Sequence, residues 1–275
     1  MPDPLRNLGS VVSIWRYPVK SMMGEELNST EVTERGLPGD RAYAVLDPSD
    51  GKAATAKNPG KWPRLFDFRA TLTGPWPAAP NIPAVRIALP DGTTVSSDQR
   101  DLDQILSKAL NRDVKLATPQ RGVVNSEEYW PDMEGLEHRD TVTDFALPEG
   151  TFFDAAVVHI LTTATLNRLR EVYPQGRFES RRFRPNIVVQ TAPGEKGFAE
   201  NAWIGHTIAI GSSVRLNITA PCSRCIMTTL PQGDLPKDPG ILRAAAQYNA
   251  VNVGVYAAVL RGGQIRRGDQ ARLET

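Results

Sequence analysis

Short runs of alternating apolar and polar residues, rich in β-branched and aromatic side chains, fill most of the chain and predict strands rather than helices. Two such runs flank Pro90-Asp91-Gly92, which predicts a hairpin. The predicted strands of the first half are 11–19, 27–33, 41–47, 64–72, 85–89, 93–96 and 114–117. Those of the second half are 152–160, 187–189, 208–219, 251–260 and 271–274.

Three segments have the spacing of helices instead. Residues 101–110 carry leucine and isoleucine at i, i+3 and i+4, which predicts a helix packed on a sheet and ending at Asn111. Thr162 is a suitable N-cap for a second helix with Leu166, Leu169 and Val172 on one face. Residues 239–248 predict a third helix. The fold class expected from these patterns is mainly β with some α, an α+β protein.

The chain is expected to form two domains, 1–118 and 119–275. The first is β-rich with one helix and contains a proline-rich, extended connection at Pro75, Pro77, Pro80 and Pro83. Residues 120–149 are polar and acidic without periodicity, and we interpret them as a solvated connecting loop. Long loops of this kind are often functional lids.

Composition narrows the class of protein. The 275 residues are 40% hydrophobic and 23% charged, as in ordinary soluble globular proteins. Lys plus Arg number 32 and Asp plus Glu 31, so no net field attracts nucleic acid or an anionic membrane. No signal peptide or apolar run of about 20 residues is present. Two cysteines form no disulfide framework, and we therefore expect a cytoplasmic protein.

Both cysteines lie in residues 220–229, with Arg224 directly before Cys225. A nearby cation lowers a thiol pKa, and a thiolate is both a nucleophile and a soft metal ligand. Two buried structural thiols, a zinc half-site and a redox dithiol are alternatives. However, the segment is rich in Pro, Ser and Arg, the three histidines lack zinc-site spacing, and the residues after Cys225 have the pattern of strand or loop. We favour one thiolate ligating a metal carried by a cofactor.

Basic residues at predicted strand ends indicate that this cofactor is anionic: Lys20, Arg41, Arg182 and Arg184. Arginine binds a phosphate through two parallel hydrogen bonds, and lysine supplies a point charge. The chain has neither a Gly-x-Gly-x-x-Gly motif nor a P-loop, so we do not expect it to bind NAD(P)H or ATP in those ways. Two cysteines are too few for an ordinary iron–sulfur cluster. Electrons for any redox reaction must therefore come from another protein.

Five segments, in order, resemble the MOSC family, the molybdenum-cofactor sulfurase carboxy-terminal domain proteins. They are residues 17–21 (Tyr-Pro-Val-Lys-Ser), 39–41 (Gly-Asp-Arg), 183–186 (Phe-Arg-Pro-Asn), 222–229 (Cys-Ser-Arg-Cys-Ile-Met-Thr-Thr) and 268–269 (Gly-Asp). The similarity covers nearly the whole chain and is to the branch that includes the mitochondrial amidoxime-reducing component and its bacterial relatives. It implies an amino-terminal MOSC-type β-barrel domain, then a MOSC β-barrel with peripheral helices.

The resemblance also implies a molybdenum cofactor, a pterin dithiolene with a terminal phosphate. By position, Cys225 corresponds to the molybdenum ligand, while Lys20, Ser21 and Arg41 match residues that hold the phosphate and the pterin. The matching positions of the second section are Thr162, Arg184, Asn186, Ser223 and Arg224. Residues 230–234 (Leu-Pro-Gln-Gly-Asp) depart from the acidic run of many family members, so a substrate preference does not transfer.

The activity implied is reduction of small N-hydroxylated compounds (amidoximes, hydroxylamines and N-hydroxylated bases) with electrons from a separate flavin or haem protein. An alternative is a sulfur carrier or cofactor-handling protein with a persulfide on Cys225 or Cys222. A third possibility is a binding protein without catalysis. Neither nucleic acid nor a membrane is an expected partner.

Overall fold

The computed structural model describes residues 5–74, 76, 82–134 and 138–274. The strands are β1 (Leu5–Arg16), β2 (Glu25–Leu27), β3 (Ser29–Val32), β4 (Ala44–Leu46), β5 (Arg69–Leu72), β6 (Val85–Ala88), β7 (Thr94–Ser96), β8 (Lys115–Ala117), β9 (Asn125–Trp130), β10 (Thr141–Ala146), β11 (Val158–Thr162), β12 (Ile187–Thr191), β13 (Thr207–Ile210), β14 (Val214–Ser223), β15 (Asn252–Arg261), β16 (Gly263–Arg266) and β17 (Gln270–Glu274). The α-helices are α1 (Leu102–Leu110), α2 (Thr163–Val172), α3 (Ser180–Phe183) and α4 (Gly240–Asn249), and 3-10 helices cover Leu65–Asp67, Ala199–Trp203 and Ile226–Thr229. The mainly β class is confirmed. None of the helices in these residues is long and apolar enough to cross a bilayer.

Seven strands close into a barrel in the order β12, β11, β15, β14, β13, β17 and β1, with β1 pairing again to β12. Strand β1 closes it because its first half pairs with β17 while its later residues pair with β12. Gly9 lies where both partners meet, with a φ of 125°. A Cβ there would lie 1.9 Å from the carbonyl oxygen of Gln190, so only glycine fits this close approach.

Alternation along each strand points one row of side chains into the barrel. Ile14, Leu216 and Val255 are among the fully buried residues of this interior. Strand β11 differs, because all five of its residues are buried. Leu161 of this strand belongs to a second apolar cluster, which it forms with residues of helices α2 and α4 outside the barrel. Because β11 is covered on both faces, it loses the alternation of buried and exposed residues.

The rest of the first section builds its own core beside the barrel. The β5–β6–β7 sheet, the β4–β8 pair and α1 surround Trp62, Phe68 and Leu106. The predicted hairpin and α1 are confirmed, and Asn111 ends α1 in the left-handed conformation. The division at residue 118 stays a prediction, although β1 pairs with strands of the second section.

The largest difference from the sequence prediction is residues 120–149, where the expected connecting loop is wrong. Strands β9 and β10 pair along their full length and form a hairpin. Their acidic side chains hid the strand pattern because several of them make ion pairs instead of facing open water. Lys52 contacts Glu127 and Asp144, and Lys57 contacts Glu128.

Two predicted strands are also interrupted. Residues 27–33 divide at Asn28 into β2 and β3, which pair with β1 and β16 respectively. Residues 65–67 form a 3-10 turn, which places Leu65 and Phe68, three positions apart, in the same core. Strand β16 was not predicted. Of the predicted proline-rich connection, Pro75, Pro77 and Pro80 lie outside the described residues.

We expect Leu216→Ala to lower the free energy of unfolding by about 2–5 kcal/mol, because a buried leucine is replaced by a cavity. Leu260→Ala is the matched control, since Leu260 is 60% exposed on the neighbouring strand while Leu216 is 0% exposed. Surface substitutions of this kind change stability by about 0.5 kcal/mol or less. Urea denaturation measures both, and equal losses would contradict the barrel interior described here.

Candidate functional site

A narrow cleft, partly open to solvent, lies between the first section and the barrel. Six of the ten residues singled out from the sequence line it: Lys20, Ser21, Arg41, Arg184, Asn186 and Arg224. The expectation for Arg182 is wrong, because its fully buried guanidinium donates to the backbone carbonyl oxygens of Arg177, Leu230 and Pro236 instead. The six lining residues come from the turn after β1, the turn before β4, the start of β12 and the end of β14. The fold therefore brings together side chains that are up to 204 positions apart (20 and 224) in the chain.

The cleft is strongly cationic. Lys57 joins Lys20, Arg41, Arg184 and Arg224 in its wall, whereas Asp154 is the single Asp or Glu among its described lining residues. Desolvation lowers the pKa of Lys20, and it lowers that of Arg184 to about 10 with help from the charge of Arg41. Buried cations with so few carboxylates favour an anionic ligand.

Three of these residues have an uncommon backbone conformation. Ser21, Arg41 and Arg184 have φ values of 62°, 50° and 53°. Left-handed conformations cost non-glycine residues about 1 kcal/mol or more, and such strain concentrates at functional sites. All three residues line the cleft. The sequence predicted only that Pro185 keeps Arg184 out of the right-handed helix.

Tyr17 supports two of the arginines. The guanidinium carbon of Arg184 lies 4.1 Å from the centre of its ring, and that of Arg41 lies 4.7 Å away. The Tyr17 hydroxyl donates to the carbonyl oxygen of Pro185 at 3.2 Å. Burial raises the pKa of Tyr17, so the ring stays neutral. Cation–π contacts in a desolvated place are worth about 2 kcal/mol.

The carboxylate of Asp40 connects Tyr17, Arg41 and Asn186 beneath the cleft. Its side chain is 0% exposed and forms an ion pair with Arg41. It also accepts hydrogen bonds from the Tyr17 backbone N–H at 2.7 Å and from the Asn186 side-chain amide at 2.9 Å. The Asn186 oxygen in turn accepts from the backbone N–H of His159 at 3.0 Å. Asp40 therefore fixes the end of β1, the turn at Arg41 and the start of β12 in one arrangement.

The two cysteines have different surroundings. Cys225 is half-buried and packs against Met23, Phe66 and Met227, the last of which lines the cleft. Burial raises the pKa of Cys225 to about 11, with a contribution from the charge of Glu128.

Cys222 is fully buried, and its sulfur accepts a hydrogen bond from Nη1 of Arg224 at 2.7 Å. Burial by itself raises the pKa of Cys222, but Arg224 and His159 outweigh it and lower the pKa to about 6. The arginine beside Cys225 in the sequence therefore bonds to the other cysteine.

Thr162, Ser223 and Cys225 are not among the residues that line the cleft, although Cys225 packs against Met227, which does line it. Thr162 caps α2 by accepting from the backbone N–H of Thr165 at 3.2 Å, and its hydroxyl donates to buried Glu200 at 2.5 Å. Ser223 is exposed at the end of β14. The N-cap predicted at Thr162 is confirmed, and its hydroxyl is fully engaged within the fold.

The sequence did not single out three further residues of the cleft: Lys57, Asp154 and Tyr256. None of them belongs to a recognisable motif. His159 also lines the cleft, and its Nε2 lies 3.1 Å from the carbonyl oxygen of Val253. That contact gives the buried imidazole of His159 a polar partner within the fold.

Two family models match the chain consecutively. Residues 8–122 match the MOSC N-terminal beta barrel domain, and residues 148–272 match the MOSC domain. The chain belongs to the MOSC family. Within this MOSC protein, Lys20, Ser21 and Arg41 come from the first matched region, while Arg184, Asn186 and Arg224 come from the second. The cleft is built by both.

Curated relatives of this MOSC protein include two amidoxime-reducing components. Mitochondrial amidoxime-reducing component 1 of Homo sapiens is 28% identical over 239 residues, covering 82% of this chain and 67% of that protein. Mitochondrial amidoxime reducing component 2 of Rattus norvegicus is 28% identical over 302 aligned positions, covering 96% and 83% respectively. Among solved structures, the YUAD protein from Bacillus subtilis is 12% identical with a TM-score of 0.49, over 98% of this chain and 97% of that one.

Replacing Asp40 by Asn keeps the shape of the side chain and removes its charge. We expect the free energy of unfolding to fall by about 3–5 kcal/mol, because removing one member of a buried ion pair leaves the other charge uncompensated. Urea denaturation is the measurement. In the control, Asp67→Asn, the ion pair with Arg64 has both side chains about half exposed, and such pairs contribute about 0–1 kcal/mol. An Asp40→Asn protein as stable as the wild type would contradict the role of Asp40.

Proposed function

We propose that this MOSC protein is a molybdenum-cofactor-dependent oxidoreductase that reduces N-hydroxylated compounds, with electrons supplied by a separate protein. The observation that carries the proposal is the cationic cleft beside a half-buried cysteine, in a chain related to amidoxime-reducing components over most of its length. A soft thiolate suits molybdenum, and fixed cations suit the phosphate of a pterin cofactor. Cys225 lies beside the cleft, in contact with its lining residue Met227.

The donor groups of the cleft fit such a cofactor. Lys20, Arg41 and Arg184 would hold the anionic end, with the Ser21 hydroxyl and the Asn186 amide beside them. The Nε atom of Arg224 is buried without a hydrogen-bond partner among the described residues, so this side chain has a free donor for a ligand. The group fits the residues by charge and by hydrogen-bonding capacity.

Cys225 would supply the protein's thiolate to the metal. Burial favours the neutral thiol of Cys225, and metal binding would have to release its proton. The cofactor, when bound, supplies the two-electron chemistry, while the protein binds, orients and desolvates the reactants. Thr162, whose hydroxyl is engaged with Glu200 and Thr165, and Ser223, which is exposed at the end of β14, have no cofactor contact in this proposal. In the fold, Thr162 caps α2 and Ser223 is the last residue of β14.

A sulfur carrier is less compatible with these surroundings. A persulfide carrier needs an exposed thiol with a low pKa, because the thiolate is the attacking species. Cys222 has the lowered pKa but is fully buried, whereas Cys225 is more accessible and has the raised pKa. Neither cysteine combines the two properties.

We expect Cys225→Ser to abolish N-reduction and to lower the molybdenum content of the purified protein, because a serine hydroxyl is a poor ligand for a soft metal. Cys222→Ser is the matched control and should retain substantial activity, since only Cys225 corresponds to the metal-ligating position of the family. Metal analysis and benzamidoxime reduction with reduced viologen measure both variants. Full activity in Cys225→Ser would contradict the proposal, and equal loss in both would indicate a dithiol mechanism.

We also expect the isolated protein not to oxidise NADH, even with a good N-hydroxylated substrate, because its sequence has no dinucleotide-binding motif. Addition of an NADH-oxidising flavoprotein, alone or together with a haem electron carrier, should give NADH-dependent turnover. The rate of NADH absorbance loss, with and without the carrier, measures this. Turnover by the isolated chain, with contaminating reductases excluded, would show that electron entry does not need a second protein.

A further inference from the structure

Asp154 lies between two lysines of the cleft. One of its carboxylate oxygens pairs with Nζ of Lys20, and the other lies 3.4 Å from Nζ of Lys57. Lys20 is 4% exposed, and the side chain of Lys57 is 15% exposed. The carboxylate of Asp154 is thus paired with two ammonium groups that line the same cleft.

Each lysine has a further partner besides Asp154, whereas the Asp154 side chain is partly exposed to water. Lys20 also donates to the carbonyl oxygen of Phe152 at 3.2 Å. Lys57 is held by Glu128 at 3.3 Å and by the ring of Phe145, whose centre lies 4.5 Å from Nζ. Asp154 lies in the irregular segment between β10 and β11, and its side chain is 35% exposed. Its carboxylate can turn to water at little desolvation cost, which the lysines cannot do.

We propose that Asp154 is an internal competitor of the anionic ligand for Lys20 and Lys57, and that Lys57 is a further anion-binding residue of this cleft. The proposal deepens the proposed function by adding residues to the same site. A phosphate-type group carries more charge and more acceptor oxygens than one carboxylate, so it satisfies the two ammonium groups better. When such a group binds, Asp154 exchanges the two lysines for water, and Lys57 becomes available to the ligand.

Pyrophosphate is a suitable probe, because it presents phosphoryl oxygens without a pterin or a metal. Titration calorimetry on the full chain, at fixed pH and ionic strength, measures its dissociation constant. We expect Asp154→Asn to bind pyrophosphate about tenfold more tightly than the wild type, which corresponds to about 1.4 kcal/mol. The control is Asp144→Asn, which makes the same charge change on β10. Asp144 pairs with Lys52, is 54% exposed and does not line the cleft. Its effect should be less than about twofold, because exposed charges are screened.

A double-mutant cycle tests Lys57 separately. Lys57→Gln should weaken pyrophosphate binding more in the Asp154→Asn background than in the wild type. In the wild type Lys57 is paired with Asp154, and in the Asp154→Asn protein it is available to the ligand. Equal losses in the two backgrounds would overturn the assignment of Lys57 as an anion-binding residue released by Asp154.

Unchanged or weaker binding by Asp154→Asn would overturn the competition, and would instead indicate that Asp154 orients Lys20 for the ligand. Failure of both proteins to bind pyrophosphate would overturn it as well. Circular dichroism checks folding, and Asp154→Ser replaces Asp154→Asn if the latter does not fold. Since the measurement needs neither molybdenum nor turnover, a failure of the proposed reductase activity leaves this result interpretable.

Discussion

The buried carboxylate of Asp40 is the interaction on which the rest of the cleft depends. Arginine side chains at the junction of two cores would repel one another without a nearby negative charge. Asp40 supplies that charge to Arg41 and also binds the Tyr17 backbone and the Asn186 amide. These partners come from three separate segments of the chain. One carboxylate therefore compensates charge and fixes the relative position of those segments.

Backbone strain follows from the same arrangement. Three of the seven non-glycine residues with positive φ in the described part of the chain line the cleft. A chain that reverses sharply can present its side chain and a neighbouring backbone group to the same space. The surrounding contacts must offset the cost of each reversal. Tyr17 and Asp40 provide such contacts for Arg41, and Tyr17 provides them for Arg184.

The sequence predicted those parts of the site that local chemistry determines. Lys20, Arg41, Arg184 and Asn186 flank strands or turns that the pattern of residues already indicates, and they do line the cleft. The partner of Arg224 was not predictable from adjacency. Residues two apart on an extended chain share a face, so Arg224 turns towards Cys222 rather than Cys225.

Tertiary contacts decided the remaining differences. Lys57 and Asp154 belong to no motif, and their chain positions, 57 and 154, are 97 residues apart, so only the folded chain brings them together. The β9–β10 hairpin was missed for a related reason. Its acidic residues are stabilised by lysines of another segment, and a periodicity argument counts them as solvated.

Both matched regions contribute cations to the cleft. Lys20, Arg41 and Lys57 come from the first region, and Arg184 and Arg224 come from the second, so neither region alone forms the cationic cleft. Strand β1 adds a covalent connection, since it closes the barrel and then leads directly to Lys20. A ligand that binds only the folded cleft stabilises the folded state by mass action. Because five cations from two regions converge there, an anion would offset their mutual repulsion and hold the two regions together.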